Sequence, residues 1–124
     1  MTVFLFVLVA LAGGVGAGLR YTADALITGR VKARFPRGVF LVNAVGSFAL
    51  GVVTGLAGHV LSADAVAVLG TGMLGGFTTF STVSVDTALM FRDGEGRRAV
   101  FNVVGTVVVC VAAASVGIAL AALV

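Results

Sequence analysis

Charged side chains fall in a few narrow bands along the chain, and the stretches between them are apolar. Thr2 to Leu19, Gly38 to Ala63, Ala65 to Val85 and Ala99 to Val124 contain no Asp, Glu, Lys or Arg. A helix needs about 20 apolar residues to cross the hydrocarbon core of a bilayer, and each run meets or nearly meets that length. The pattern predicts an all-α membrane protein, with four transmembrane helices in one domain covering residues 1–124. Helix 1 is expected over 2–21. Helix 2 is expected over 37–61, with Pro36 suited to its entry. Helix 3 follows Ser62, an N-cap with Asp64 in the first turn. Helix 4 runs over 98–123.

The third span is the irregular one. From Ala65 to Phe91 it has 27 residues. At 1.5 Å per residue that is about 40 Å, enough to contain a break. Gly70, Gly72, Gly75 and Gly76 crowd its middle, and Thr78, Thr79, Ser81, Thr82 and Ser84 follow. Glycines weaken a helix, and each hydroxyl needs a partner where water is absent. The sequence therefore predicts a local unwinding at 75–78.

Small and polar residues form seams elsewhere. In "GGVGAGLRY", Gly14 and Gly18 are a small-xxx-small pair that lets another backbone come close. In "NAVGSFALG", Asn43, Gly46, Ser47 and Gly51 fall near one face, and Gly55 extends the seam. In helix 4, Asn102, Thr106 and Cys110 are spaced i, i+4, i+8 along one stripe.

Composition removes the soluble alternative. The chain is 60% hydrophobic and 10% charged, with a mean hydropathy of +1.20, and cannot supply the charged skin of a soluble domain. Its net charge of +3 does not point to nucleic acid, because the basic residues sit beside the spans. Arg20, Arg30, Lys32, Arg34, Arg37, Arg92, Arg97 and Arg98 all lie in the first or third connection. The positive-inside rule then places those connections in the cytoplasm and both termini outside the cell membrane.

The first span lacks the basic start of a signal peptide and is expected to be retained. Cys110 is expected to be a packing residue and has no second cysteine to pair with. His59 is a lone histidine, and no metal site is expected there. No nucleophile–base pair or phosphate loop is present, so no enzyme is expected.

An unwound turn in a membrane frees backbone carbonyls, which are hard oxygen ligands favouring a hard cation. The hydroxyls of Thr79, Ser81, Thr82 and Ser84, and the Asn43 amide, can donate hydrogen bonds. Phe80 adds a ring edge of partial positive charge. A path lined in this way, without fixed charge at mid-span, suits a small anion held weakly enough to leave. The competing reading is that each hydroxyl bonds the carbonyl four residues back and only bends the helix.

"GTGMLGGFTTFST", with the two glycine motifs above, resembles the Fluc/CrcB family of fluoride channels, and the resemblance covers the whole chain. It implies a passive fluoride channel that exports fluoride and assembles as an antiparallel dimer with two pores. It further implies a structural sodium ion on the backbone carbonyls of Gly75 and Thr78. Asn43, Phe80 and the nearby hydroxyls Thr79, Ser81, Thr82 and Ser84 would line the fluoride path, with Arg20 at a vestibule. Val83 stands where the family usually carries a second phenylalanine, leaving an aliphatic wall. Asn102 and Thr106 match the family's helix 4 stripe loosely.

The charge bias favours a dimer with an oppositely oriented homologue; a homodimer is the alternative. Two other classes compete with the channel. A proton-coupled exporter needs a carboxylate facing a mid-membrane cavity. Only Asp86 comes near, about 12 Å past the break by helical rise, and it is expected to cap a vestibule or pair with a basic residue. A non-conducting structural subunit explains the glycine seams but not the hydroxyl run.

Overall fold

The computed structural model describes residues 1–29 and 36–124. Arg30, Lys32 and Arg34, three of the bases behind the orientation argument, lie outside the described residues. Four helical segments are long and apolar enough to cross a membrane: Val3–Thr28, Arg37–Gly55, Ala63–Arg92 and Gly96–Ala121.

The first helix, α1 (Val3–Thr28), begins at Thr2, whose side chain accepts the Leu5 N–H at 3.1 Å. It runs seven residues past the predicted end at 21. Ala23, Ala25 and Leu26 are good helix formers, and the chain turns only at Gly29, in the left-handed region at φ 59°. The apolar pattern marked the membrane-crossing part of the helix, not the helix itself.

Conversely, α2 (Arg37–Gly55) stops six residues short of the predicted 61. Gly58 takes φ 85°, and the Leu61 N–H returns to the Leu56 carbonyl at 2.9 Å. A compact turn has replaced the last predicted turns of helix.

The third span is divided. Ser62 caps α3 (Ala63–Val66), its Oγ accepting the Ala65 N–H at 3.2 Å, as predicted. Ala67–Leu74 is a π-helix, and α4 (Gly75–Phe77) follows it. Thr78 and Thr79 then have extended torsions, at φ/ψ −81°/156° and −148°/123°, before α5 (Phe80–Arg92). The expected unwinding at 75–78 is thus displaced: Gly75, Gly76 and Phe77 are helical and the two extended residues are threonines. The last span is α6 (Gly96–Ala121).

Glycine decides how closely these helices approach. The α2 and α6 helices form the most extensive contact, while α1 lies along the π-helix and α4. A methyl group at Gly51 would overlap the Ala114 carbonyl, and one at Gly117 the Phe48 carbonyl. On α1, a methyl at Gly16 would overlap the Met73 carbonyl, and one at Gly76 would overlap that of Gly13. Within the subunit nothing packs on the predicted seam of Gly14 and Gly18: a methyl at either meets nothing within 4 Å. Of the α1 glycines, Gly13 and Gly16 are the ones that turn towards the third span.

Few large side chains are buried; Val39, Val42, Leu74 and Val83 are among them, while Phe4, Phe6, Phe101 and many valines face outward. Such an exterior fits lipid, where helix association rests on close packing rather than on burying apolar surface.

Candidate functional site

The site grows from the two extended threonines. Leaving the helix strands the backbone polar groups of Thr79 inside the protein, where each needs a partner. Asn43, on α2, supplies both. Its Oδ1 accepts the Thr79 N–H at 2.7 Å, and its Nδ2 donates to the Thr79 carbonyl at 2.9 Å. Both residues are buried.

In a continuous α-helix the Thr79 N–H would bond the Gly75 carbonyl, so the Asn43 bond releases that oxygen. Arg20, reaching over from α1, donates from Nη1 to the Thr78 carbonyl at 3.3 Å.

The hydroxyls gather around Thr79 as well. Its Oγ1 caps α5 by accepting the Thr82 N–H at 3.3 Å, and pairs with the hydroxyls of Ser81 at 3.2 Å and Thr82 at 3.1 Å. Others follow the competing expectation and bond the carbonyl four residues back: Thr78 to Leu74, Ser84 to Phe80 and Thr87 to Val83.

Two cavities meet at this point. One, of about 200 Å³, is lined by Asn43, Ser47, Thr78, Thr79, Phe80, Val83, Thr106, Val107 and Cys110. The other, of about 210 Å³, is lined by Arg20, Tyr21, Asp24, Thr79 and Thr82 with two apolar neighbours. Thr79 faces both. Of the sequence-predicted residues, Gly75, Ser81, Ser84 and Asn102 line neither cavity. Phe80 is 72% exposed at the outer edge of the first, whereas Val83 is 2% exposed and forms its inner wall. Cys110, expected to be a packing residue, is half-buried and lines the same cavity.

Asn102 is 1% exposed and donates to the Thr87 hydroxyl at 2.9 Å, which itself donates to the Val83 carbonyl at 2.7 Å. That relay fastens α6 to α5 directly behind the cavity. Asp86 does not pair with a base: among the described residues the ion pairs are Arg92 with Asp93 and Arg98 with Glu95.

Comparison with known proteins bears on what such a site belongs to. Residues 7–118 match the family described as CrcB-like protein, Camphor Resistance (CrcB). The chain belongs to the CrcB family.

Curated relatives of this CrcB-family chain carry a more specific name. A protein of Mycolicibacterium paratuberculosis, Fluoride-specific ion channel FluC 2, is 42% identical over 123 residues, 99% of this chain and 98% of its own. Fluoride-specific ion channel FluC 1 of Leifsonia xyli is 40% identical over 119 residues, covering 95% and 87% of the two chains. Fluoride-specific ion channel FluC of Shewanella pealeana is 47% identical over 105 residues, covering 83% and 84%.

Thr87, Asp24 and Ser47 are among the residues of the site in this CrcB-family chain that sequence reasoning does not single out. Thr87 carried no signal beyond lying 15 residues from Asn102. Asp24 lay outside the predicted helix 1 and was read as connection. Ser47 had been placed on the right face of helix 2 but given no role.

Proposed function

We propose that the chain is a subunit of a passive fluoride channel that lets fluoride leave the cytoplasm down its gradient. The observation that carries this reading is the neutrality of the Asn43–Phe80 cavity: no Asp, Glu, His, Lys or Arg is among its lining residues. Hydroxyls, an amide and a ring edge offer weak donors to an anion without a fixed charge that would trap it. Proton coupling needs a titratable group facing the path; Asp86 lines neither cavity, and Asp24, the one carboxylate that does, stands with Arg20 in the neighbouring cavity and not in this one. That the anion is fluoride comes from the names of the relatives. The experiment is fluoride efflux from liposomes bearing the purified protein. Fast flux that ignores an imposed proton gradient is expected; flux that follows the proton gradient would favour the exporter, and none would favour a structural subunit.

The finer reading adds a partner and an ion. The subunit forms an antiparallel dimer with two pores, both termini outside, and its basic connections favour a homologue of opposite charge bias. Such a partner would carry the aromatic residue that Val83 lacks. Expression alone in cells lacking fluoride export is the check: full rescue of fluoride resistance would point to a homodimer instead.

A structural sodium ion suits the oxygens at hand. The Gly75 carbonyl has lost its expected donor to Asn43, and the Thr78 carbonyl accepts one long bond from Arg20, leaving lone pairs of the hard type that sodium takes. Gly75 and Thr78 would hold it together with their counterparts in the partner. When bound, it would add the positive charge that ties the two subunits together.

A further inference from the structure

Arg20 and Asp24 stand about one helical turn apart on α1, both half-buried, and both line the cavity of about 210 Å³ beside Thr79. Opposite charges at i and i+4 of a helix are neighbours on its surface and ordinarily attract. Here they do not join: among the described residues the ion pairs are Arg92 with Asp93 and Arg98 with Glu95. Each is held by a neutral group instead. Arg20 donates to the Thr78 carbonyl at 3.3 Å, and the Asp24 Oδ1 accepts the Thr28 hydroxyl at 3.2 Å. The Asp24 carboxylate is also seated against the start of α2, where a methyl on Gly38 would overlap it. Neither neutral partner cancels a charge. The wall of the cavity keeps one cation and one carboxylate, unjoined.

We propose, on the channel reading above, that Asp24 sets how strongly this mouth of the path attracts fluoride. A cleft lined by one sign of charge raises the local concentration of the opposite ion. The remaining lining residues, Ala17, Tyr21, Val39, Thr79 and Thr82, carry no fixed charge. With Arg20 alone the mouth would be net positive and would fill at low fluoride. Asp24 brings the lining to neutrality, so the anion is drawn in by Arg20 at short range and let go again.

The seat matters as much as the charge. Thr28 and Gly38 hold the carboxylate at the α1–α2 contact, which leaves the Arg20 guanidinium on the Thr78 carbonyl rather than in an ion pair across the mouth. Asp24 is a positioning residue in this sense: it acts on the anion through space and through Arg20.

The test compares fluoride efflux from liposomes for the native full-length chain, Asp24→Asn and Asp24→Glu, from limiting to saturating fluoride. Asparagine keeps an acceptor for the Thr28 hydroxyl, so the seat survives while the charge goes. Asp24→Asn should lower the half-saturating fluoride concentration severalfold without raising the maximal rate. That shift should fade in concentrated impermeant salt, since exposed charges are screened beyond about 10 Å at 0.1 M. Asp24→Glu restores the charge and should return the half-saturation towards the native value. Unchanged half-saturation in Asp24→Asn, a shift that ignores salt, or a glutamate variant that behaves like asparagine would each overturn the role of the charge. So would lost efflux with a lower melting temperature in Asp24→Asn, which would make Asp24 an anchor between α1 and α2 alone. Native protein that passes no fluoride would overturn the channel reading and this inference together.

Discussion

The side chain of Asn43 holds both backbone polar groups of Thr79, accepting its N–H at 2.7 Å and donating to its carbonyl at 2.9 Å. An asparagine amide here does what a neighbouring strand would do for an extended residue. It fixes the one residue that faces both cavities. Asn43→Ala removes both partners, and each unsatisfied buried group costs about 1–3 kcal/mol. The protein should still assemble, but melt earlier and lose fluoride efflux. An unchanged melting temperature would show that Thr79 is held by something else.

Phe80 gives the opposite combination. It is 72% exposed on the subunit, so Phe80→Ile removes little internal packing. Efflux should be abolished with the melting temperature of the subunit nearly unchanged. Normal efflux would remove the ring from the path.

The glycine contacts divide substitutions into two groups. Gly16→Ala and Gly76→Ala each drive a methyl into a carbonyl of the facing helix. Overpacking of this kind costs about 1–3 kcal/mol. Gly14→Ala and Gly18→Ala meet open space within the subunit. Thermal unfolding in detergent should separate the two pairs; equal losses would mean that Gly14 and Gly18 are packed by a second subunit.

Gly75 tests the sodium proposal. A methyl there approaches only the Gly70 carbonyl, at 3.8 Å, so Gly75→Val leaves the fold of the subunit room. The expected result is a folded protein that fails to pair, seen by size-exclusion chromatography. Replacing sodium by a bulky organic cation should lower the melting temperature of the proposed dimer. A dimer indifferent to sodium would count against the site.

The Thr87–Asn102 relay makes a structural prediction. Thr87→Val leaves the Asn102 Nδ2 without the acceptor it has at 2.9 Å, inside a residue 1% exposed. The loss should be about 1–3 kcal/mol, measured by unfolding, and larger than for Ser84→Ala, which removes an exposed hydroxyl.

Four spans were legible because charge is the one property a bilayer forbids at mid-depth, and the gaps between charges can be read directly. Helix ends were less legible. Nothing in the apolar pattern of α1 distinguishes residue 21 from residue 28, and Gly58 ended α2 through a backbone angle that hydropathy does not register. The Ser62 cap was readable because it is local. Asn43 and the threonine cluster were singled out by chemical type, yet the partner of Asn43 lies 36 residues away. Its double bond to a backbone rather than to the path could only come from the fold. The seam of Gly13 and Gly16 shows the limit of spacing arguments: two glycine faces one residue apart score alike until something packs on one of them.

The π-helix of Ala67–Leu74 has a consequence for how the third span tolerates changes in length. A π turn holds i→i+5 bonds and behaves as an α-helix carrying an extra residue. Removing one residue there gives the wide turn a way to tighten into an ordinary one, while the flanking segments keep their rotational phase. The same deletion in α5 has no such slack and would rotate every later side chain by about 100°, turning Val83 and Thr87 off the interior. The span therefore carries its own allowance for insertion and deletion, placed ahead of Thr78 and Thr79, so that a shift in register upstream can be absorbed before it reaches them.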